Sequence, residues 1–207
     1  MSVHVDAALL RRARAGEPRR RPPVWLGLVL GLAAVAAVLG SLVFSYFMLM
    51  FHGSEWPPAG IAPPPLAAPA AGLAVLVASA VPTVLAGRAI AAGRQLQLRA
   101  GLAVTALLGL AVLGMQARGY ARLGFTHDVN AYTSVFVVLS AFHTISLVTA
   151  LVFNVATQVR AWLGHFRAEH HEGVRIAALW WYWAVVSGVV LFATLFLGPL
   201  IDIGVHE

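Results

Sequence analysis

Few residues in the apolar parts of this sequence could do chemistry. No acidic residue and only one basic residue, His143, lies well inside an apolar run. The stretch that holds it, from Phe125 to Phe153, also carries the small hydroxyl residues Ser134, Ser140, Thr144, Ser146 and Thr149. In a membrane such hydroxyls permit close helix approach and can hydrogen-bond between helices. We therefore interpret His143 as a neutral imidazole held between helices, on a face that packs against protein.

The histidines suggest two kinds of metal site, a haem site and a zinc site, and the sequence favours neither. A haem b site needs two imidazoles that face each other at similar depth, but His143 has no such partner, because His52 ends an apolar run and the others lie in polar segments. One polar segment holds ligand types that zinc accepts, namely His165, His170, His171 and Glu172. Adjacent histidines on a loop are more often solvated. We expect no metal, no cofactor ligand and no catalytic residue in this chain.

The composition is that of a protein with several membrane spans. Of the 207 residues, 60% are hydrophobic and 11% are charged, and the mean hydropathy is +0.82, which is far from the usual composition of soluble domains. The absence of cysteine excludes disulfides and iron–sulfur clusters. The net charge of +6 does not indicate nucleic acid, since all fourteen basic residues are arginines near the ends of apolar runs. Because no carboxylate lies inside a run, ion-coupled transport is not expected either.

The apolar runs predict the elements that position these residues. We predict an all-α integral membrane bundle within residues 24–201, preceded by an Arg- and Pro-rich cytoplasmic tail at 1–23 and followed by an external tail at 202–207. Each run is long enough to cross the ~30 Å hydrocarbon layer as a helix. The five predicted transmembrane helices are at about 24–51, 66–87, 100–117, 131–159 and 175–200.

The connections between the spans set the predicted topology. We expect Pro82 to kink the second span and residues 161–174 to form a polar hinge before the fifth. The residues expected to mark the loop between the second and third spans are Arg88, Arg94 and Arg99. With the N-terminus inside, twelve arginines lie in inner segments and two, Arg118 and Arg122, lie outside. Basic residues favour the cytoplasmic side of a membrane, so we predict a cytoplasmic N-terminus and a periplasmic C-terminus.

Four motifs follow one another between about residues 41 and 198. The first is the loop Trp56-Pro57-Pro58-Ala59-Gly60-Ile61, and the second combines Gln116 with Tyr120 and Phe125. The third combines Tyr132-Thr133-Ser134 with Phe142-His143, and the fourth combines His170-His171 and Gly173-Val174 with Trp181. In this order and spacing they resemble subunit III of the haem–copper respiratory oxidases, in a short bacterial form with five spans.

The sequence departs from the family pattern at several polar positions. Gly119, Arg175 and Val185 stand where the family has carboxylates, and Ser146 and Tyr182 stand where it has histidines. The charged residues that the family is thought to use near proton entry and lipid are therefore missing. What remains resembles a divergent subunit III whose packing role is kept better than its polar chemistry.

The resemblance implies an accessory subunit with no active site of its own. Haem and copper would lie in partner subunits I and II of a cytochrome c or quinol oxidase in the bacterial inner membrane. This chain would stabilise subunit I and hold phospholipid between its first two spans and the other three. The residues expected to serve the outer loop, interhelical packing or lipid are Trp56, Pro57, Pro58, Gln116, Ser134, His143 and Trp181. Two alternatives stay open: a subunit III-like partner of a nitric oxide reductase, and a small membrane carrier or channel.

Overall fold

A computed structural model describes residues 23–53, 55–61, 65–126, 128–168 and 170–200. The predicted tails, apart from Pro23, lie outside these described residues. The chain divides into two compact units, residues 1–35 and residues 36–207. The described part of the first unit is apolar helix.

The described residues form helices joined by turns and loops and contain no strand, which confirms the all-α prediction. The helices are α1 Pro23–His52, α2 Ala67–Ala78, α3 Ala80–Ala91, α4 Gln95–Tyr120, α5 Ala131–Trp162 and α6 Glu172–Phe192. A π-helical turn, Ala193–Leu197, and a 3-10 turn, Gly198–Leu200, extend α6. Five stretches are long and apolar enough to cross a membrane, with α2 and α3 together forming the second. The predicted number of spans is therefore confirmed for the described residues.

The second span is interrupted at Ser79, three residues before the predicted kink at Pro82. Proline has no N–H for the carbonyl four residues earlier, and its ring clashes with that carbonyl. The interruption therefore falls one turn before the proline, between Ala78 and Ala80. Local side chains stabilise it, because the Ser79 hydroxyl donates to the Leu76 carbonyl and Thr83 Oγ1 donates to the Ser79 carbonyl at 3.0 Å.

The loop after the second span is shorter than predicted. Arg88 lies in α3 and Arg99 lies in α4, so of the three arginines only Arg94 lies in the connection. Gly93 turns the chain there with a φ of +73°, and the Arg94 N–H bonds the Ala89 carbonyl at 2.8 Å. The prediction placed the loop wrongly because it followed hydropathy, which falls at the first arginine, Arg88. The helix itself continues past this residue, because the long basic side chain reaches the polar surface from within a helix.

Two other helix ends differ in the same way. The fourth helix continues to Tyr120, so Arg118 lies in its last turn, and α6 begins at Glu172 rather than at Arg175. The start of α5 at Ala131, in contrast, is where it was predicted. Asn130 caps this helix: its Oδ1 accepts the Thr133 N–H at 3.0 Å, and Thr133 Oγ1 accepts the Asn130 N–H at 3.1 Å, which is a capping box.

Three clusters of buried side chains hold the helices together, and α5 contributes to all three. The first joins α1 to α5 and the end of the sixth helix, with Leu39, Tyr46, Tyr132, Val135, Phe136, Leu139, Leu191 and Leu195. The second joins α2, α4, α5 and α6, with Leu76, Val112, Leu147, Ala150, Leu151, Trp181 and Ala184. The third lies at the opposite end of the bundle, with Ala86, Ile90, Leu98, Leu102, Ala161, Phe166 and Val174. Helix α5, which is the fourth span, is thus the centre around which the others pack.

Candidate functional site

His143 lies near the middle of α5 and is 2% exposed. Its Nδ1 is 3.0 Å from Ser187 Oγ on α6. The Ser187 hydroxyl also lies 3.0 Å from the Ala184 carbonyl, which can only accept. With the serine proton on that bond, His143 Nδ1 carries a proton and donates to the serine. The remaining ring nitrogen, Nε2, is then an unprotonated hydrogen-bond acceptor.

Gly188 permits this close contact between α5 and α6. A Cβ at that position would lie 3.0 Å from His143 Cε1 and 2.7 Å from Leu76 Cδ2. Such a separation is too short for an ordinary contact, so a side chain there would displace the imidazole edge that carries Nε2. Glycine is needed at this point because of the close approach, although its backbone is regular helix.

A cavity of about 620 Å³ adjoins His143. Helices α2, α4, α5 and α6 enclose it, with the segments that contain Gly60 and Leu123 at one end. Most of its lining is aliphatic or aromatic, and none is acidic; the polar and basic members are Gln116, Arg118, Tyr120, Arg122, Ser140 and His143. Since Arg118 and Arg122 are exposed whereas His143 is buried, the arginines lie at the mouth and the imidazole lies at the deep end.

A second group of polar contacts joins α4 to α5 along the cavity. The Tyr120 hydroxyl donates to the Ser140 carbonyl at 3.2 Å and lies 3.0 Å from Thr144 Oγ1. The Thr144 hydroxyl lies 3.4 Å from Gln116 Oε1. The predicted residue Gln116 is thus placed at the boundary between two helices, one residue along α5 from the level of His143.

Trp181 is fully buried in the second cluster. Its Nε1 donates to Ser79 Oγ at 2.8 Å, which connects α6 to the interruption between α2 and α3. Gly109 on α4 makes room for the ring, because a Cβ there would lie 2.5 Å from Trp181 Cη2. A single indole on the fifth span therefore contacts the second and third spans.

Trp56 anchors the Trp-Pro-Pro loop to the bundle. Its Nε1 donates to the Tyr46 hydroxyl at 3.0 Å, and its ring meets Tyr46 edge to face with centroids 5.4 Å apart. A similar contact with Tyr132 has a centroid separation of 5.1 Å. Pro57 and Pro58 are half-buried beside it, and the Pro58 carbonyl accepts the Ile61 N–H at 3.1 Å. The loop is a folded part of the protein.

The small hydroxyls of α5 are used differently from what the sequence suggests. Ser134 is exposed and its hydroxyl donates to the Asn130 carbonyl at 3.1 Å. The Ser146 hydroxyl donates to the Phe142 carbonyl at 3.0 Å, and the Thr149 hydroxyl donates to the Ile145 carbonyl at 2.8 Å. A serine or threonine in a helix can always reach the carbonyl four residues earlier, so most of these hydroxyls are satisfied within their own helix rather than across an interface.

The described residues of the histidine-rich connection do not bring metal ligands together. His165 and His170 are exposed, and His171 is half-buried at the start of α6. Within the described part of the chain, no three side chains of the His, Cys, Asp or Glu type approach one another closely enough to hold a metal ion. The order of these residues along the sequence therefore does not translate into a cluster.

Sequence reasoning did not identify the partners of the two central residues, Ser187 for His143 and Ser79 for Trp181. Each partner is a small hydroxyl residue in an apolar run, and this was the only feature of the sequence that could have indicated it. Nor did it place Arg118 and Arg122 at the mouth of a cavity, since it assigned them only to an outer connection.

Two comparisons with known proteins, one with family models and one with individual relatives, give the same family. The family model described as cytochrome c oxidase subunit III matches residues 24–198. The chain is 34% identical over 181 residues to cytochrome c oxidase subunit 3 of Cyprinus carpio, which covers 83% of this chain and 69% of the relative. The corresponding protein of Homo sapiens is 32% identical over the same shares, and that of Ornithorhynchus anatinus is 36% identical over 68% of this chain and 53% of the relative.

The matched region includes the Trp-Pro-Pro loop, the Gln116 contact and the buried residues His143 and Trp181. The resemblance inferred from the four motifs is therefore confirmed, and with it the assignment to a multi-pass membrane subunit of an oxidase. This chain belongs to the cytochrome c oxidase subunit III family.

Proposed function

We propose that the chain is an accessory, non-catalytic subunit that stabilises the catalytic subunit I of a haem–copper oxidase, in a complex that also holds subunit II. The observation that carries this proposal is the use made of the buried polar side chains. His143 bonds Ser187, and Trp181 bonds Ser79. Both pairs join helices of this chain. The Ser187 hydroxyl beside His143 is fully buried and bonds the Ala184 carbonyl, and among the described residues no carboxylate lies beside the imidazole. Such pairs support a rigid bundle that can dock against a partner.

The redox chemistry would belong to the partners. Haem and copper would be bound by subunits I and II, where electrons from cytochrome c or quinol reduce oxygen. At the three positions where the family has carboxylates, Gly119 and Arg175 are exposed and Val185 is half-buried. None of these side chains can release a proton at neutral pH, which favours a packing role over a role in proton transfer.

Phospholipid would bind at the mouth of the cavity, which lies between α2 of the second span and the last three spans. Arg118 and Arg122 are exposed there, with no acidic side chain in the lining. Guanidinium groups pair well with phosphate oxygens, so an anionic headgroup is the expected partner. The protein would lie in a bacterial inner membrane, with the N-terminus in the cytoplasm and the C-terminus in the periplasm.

The test is purification of the tagged chain from its native membrane in a mild detergent, with a visible spectrum and mass spectrometry of what accompanies it. Co-purification of haem-bearing oxidase subunits is expected. Nitric oxide reductase subunits in their place would assign the chain to that enzyme. If the chain is recovered alone, under conditions that keep other respiratory complexes intact, the accessory role is wrong, and transport by the chain in liposomes becomes the hypothesis to measure.

A further inference from the structure

The deep end of the cavity presents polar atoms that the protein itself does not use. His143 Nδ1 is committed to Ser187, and no described residue makes a hydrogen bond to Nε2. The Cε1–Nε2 edge of the ring faces Gly188, and both residues line the cavity. With Nδ1 donating to Ser187, the imidazole offers an acceptor lone pair at this point.

The amide of Gln116 is the second polar group at this depth. One of its ends lies against Thr144 Oγ1 at 3.4 Å, and the other has no described partner. The walls nearby include the rings of Phe136 and Phe192. An apolar cavity of several hundred Å³ with a few placed polar groups is the usual form of a small-molecule site.

We propose that this deep end binds the hydroxylated head group of a membrane quinol. One phenolic hydroxyl would donate to His143 Nε2, and the other would bond the free end of the Gln116 amide. A hydroxyl both donates and accepts, so it suits either end of the amide. The aromatic walls would pack on the ring. The inference refines the lipid part of the proposed function, since the phospholipid stays at the mouth and the quinol takes the deep end.

Other occupants satisfy the site less well. An acyl chain would fill the volume but would leave His143 Nε2 and the free end of the Gln116 amide without partners in an apolar surrounding, which is unfavourable. A charged head group would meet no opposite charge beside His143, since the lining contains no carboxylate and its arginines lie at the mouth. A neutral molecule with hydroxyls on a flat apolar ring satisfies both requirements.

The experiment uses the full chain in lipid nanodiscs, titrated with decylubiquinol, with bound quinol measured after separation. Two variants address the site. His143→Phe removes Nε2 and keeps a ring, while the Ser187 proton stays bonded to Ala184. Gly72→Leu fills the cavity from α2, where a Cβ would meet only Met115 Cε at 3.9 Å. The matched control is Gly114→Leu on α4, which is exposed and has no neighbour within 4 Å.

The wild type and Gly114→Leu are expected to bind one quinol per chain. His143→Phe should weaken that binding by about tenfold or more, which corresponds to the loss of a buried hydrogen bond. Gly72→Leu should weaken it by at least as much, because its side chain occupies the cavity. In addition, the Nε2 resonance of ¹⁵N-labelled His143 should shift when quinol is added.

Absence of quinol binding to the wild type would overturn the proposal, as would equal binding by all four proteins or release of phospholipid alone from the cavity. The binding experiment uses this chain alone, so its result does not depend on whether an oxidase subunit co-purifies. Failure of the accessory role and failure of the quinol site are therefore distinguishable.

Discussion

Trp181 and Ser79, which are 102 residues apart, are joined by a hydrogen bond of 2.8 Å in which the indole N–H donates to the serine hydroxyl. Both residues are fully buried. The serine lies where the second span is interrupted, so the bond connects this interruption to α6. A tryptophan in an apolar core needs such a partner for its N–H.

The first prediction concerns that pair. Ser79→Ala leaves the indole N–H of Trp181 buried without an acceptor, which should lower the free energy of unfolding by about 1–3 kcal/mol. The measurement is the loss of monodisperse, tagged protein on heating in detergent. Ser41→Ala is the matched control, because Ser41 is exposed and its hydroxyl donates to the Ala37 carbonyl of its own helix. Equal melting temperatures for the two variants would contradict the structure.

The second prediction uses two glycines five residues apart on α4. A Cβ at Gly109 would lie 2.5 Å from Trp181 Cη2 and 3.0 Å from Leu151 Cδ2, whereas Gly114 has nothing within 4 Å. Gly109→Ala should destabilise the bundle by about 1–3 kcal/mol through overpacking. Gly114→Ala should be neutral or slightly stabilising, since alanine is the better helix former. The same heating assay compares them, and a stable Gly109→Ala protein would show that the indole lies elsewhere.

The third prediction concerns the anchor of the Trp-Pro-Pro loop. Trp56→Phe keeps an aromatic ring but loses the hydrogen bond to the Tyr46 hydroxyl. This loss should lower the free energy of unfolding by about 0.5–1.5 kcal/mol. Tyr46→Phe should cost a similar amount, and the double variant should cost less than the sum, because the two changes remove the same bond. Strictly additive effects would show that the two residues do not interact.

The spans could be predicted from the sequence because hydropathy is summed over about 20 residues and tolerates local error. Helix ends could not, since hydropathy drops at Arg88 while the backbone stays helical to Ala91. The start of α5 was placed well because polar residues immediately precede it. Among buried residues, His143 and Trp181 were recognisable by type. Their partners were not, because many hydroxyls lie in the apolar runs and the choice among them depends on how the helices are rotated.

The orientation of the chain rests on the distribution of arginines, and its test benefits from the absence of cysteine. Twelve of the fourteen arginines fall on one side of the predicted topology, which should be cytoplasmic because basic loops are retained inside. Since the chain has no native cysteine, a single introduced thiol reports one position. Ala59→Cys probes the exposed Trp-Pro-Pro loop, and His165→Cys probes the exposed connection before α6.

Labelling with a membrane-impermeant maleimide then distinguishes the two sides. In intact spheroplasts the Ala59→Cys protein should be labelled and the His165→Cys protein should not, and permeabilised cells should label both equally. The control is the cysteine-free chain, which must stay unlabelled throughout. Because the two positions are separated by three spans, α2 with α3, α4 and α5, they must lie on opposite sides of the membrane in any five-span topology. Labelling of only His165→Cys would therefore invert the predicted orientation, and labelling of both in intact spheroplasts would mean that one of those three segments does not cross.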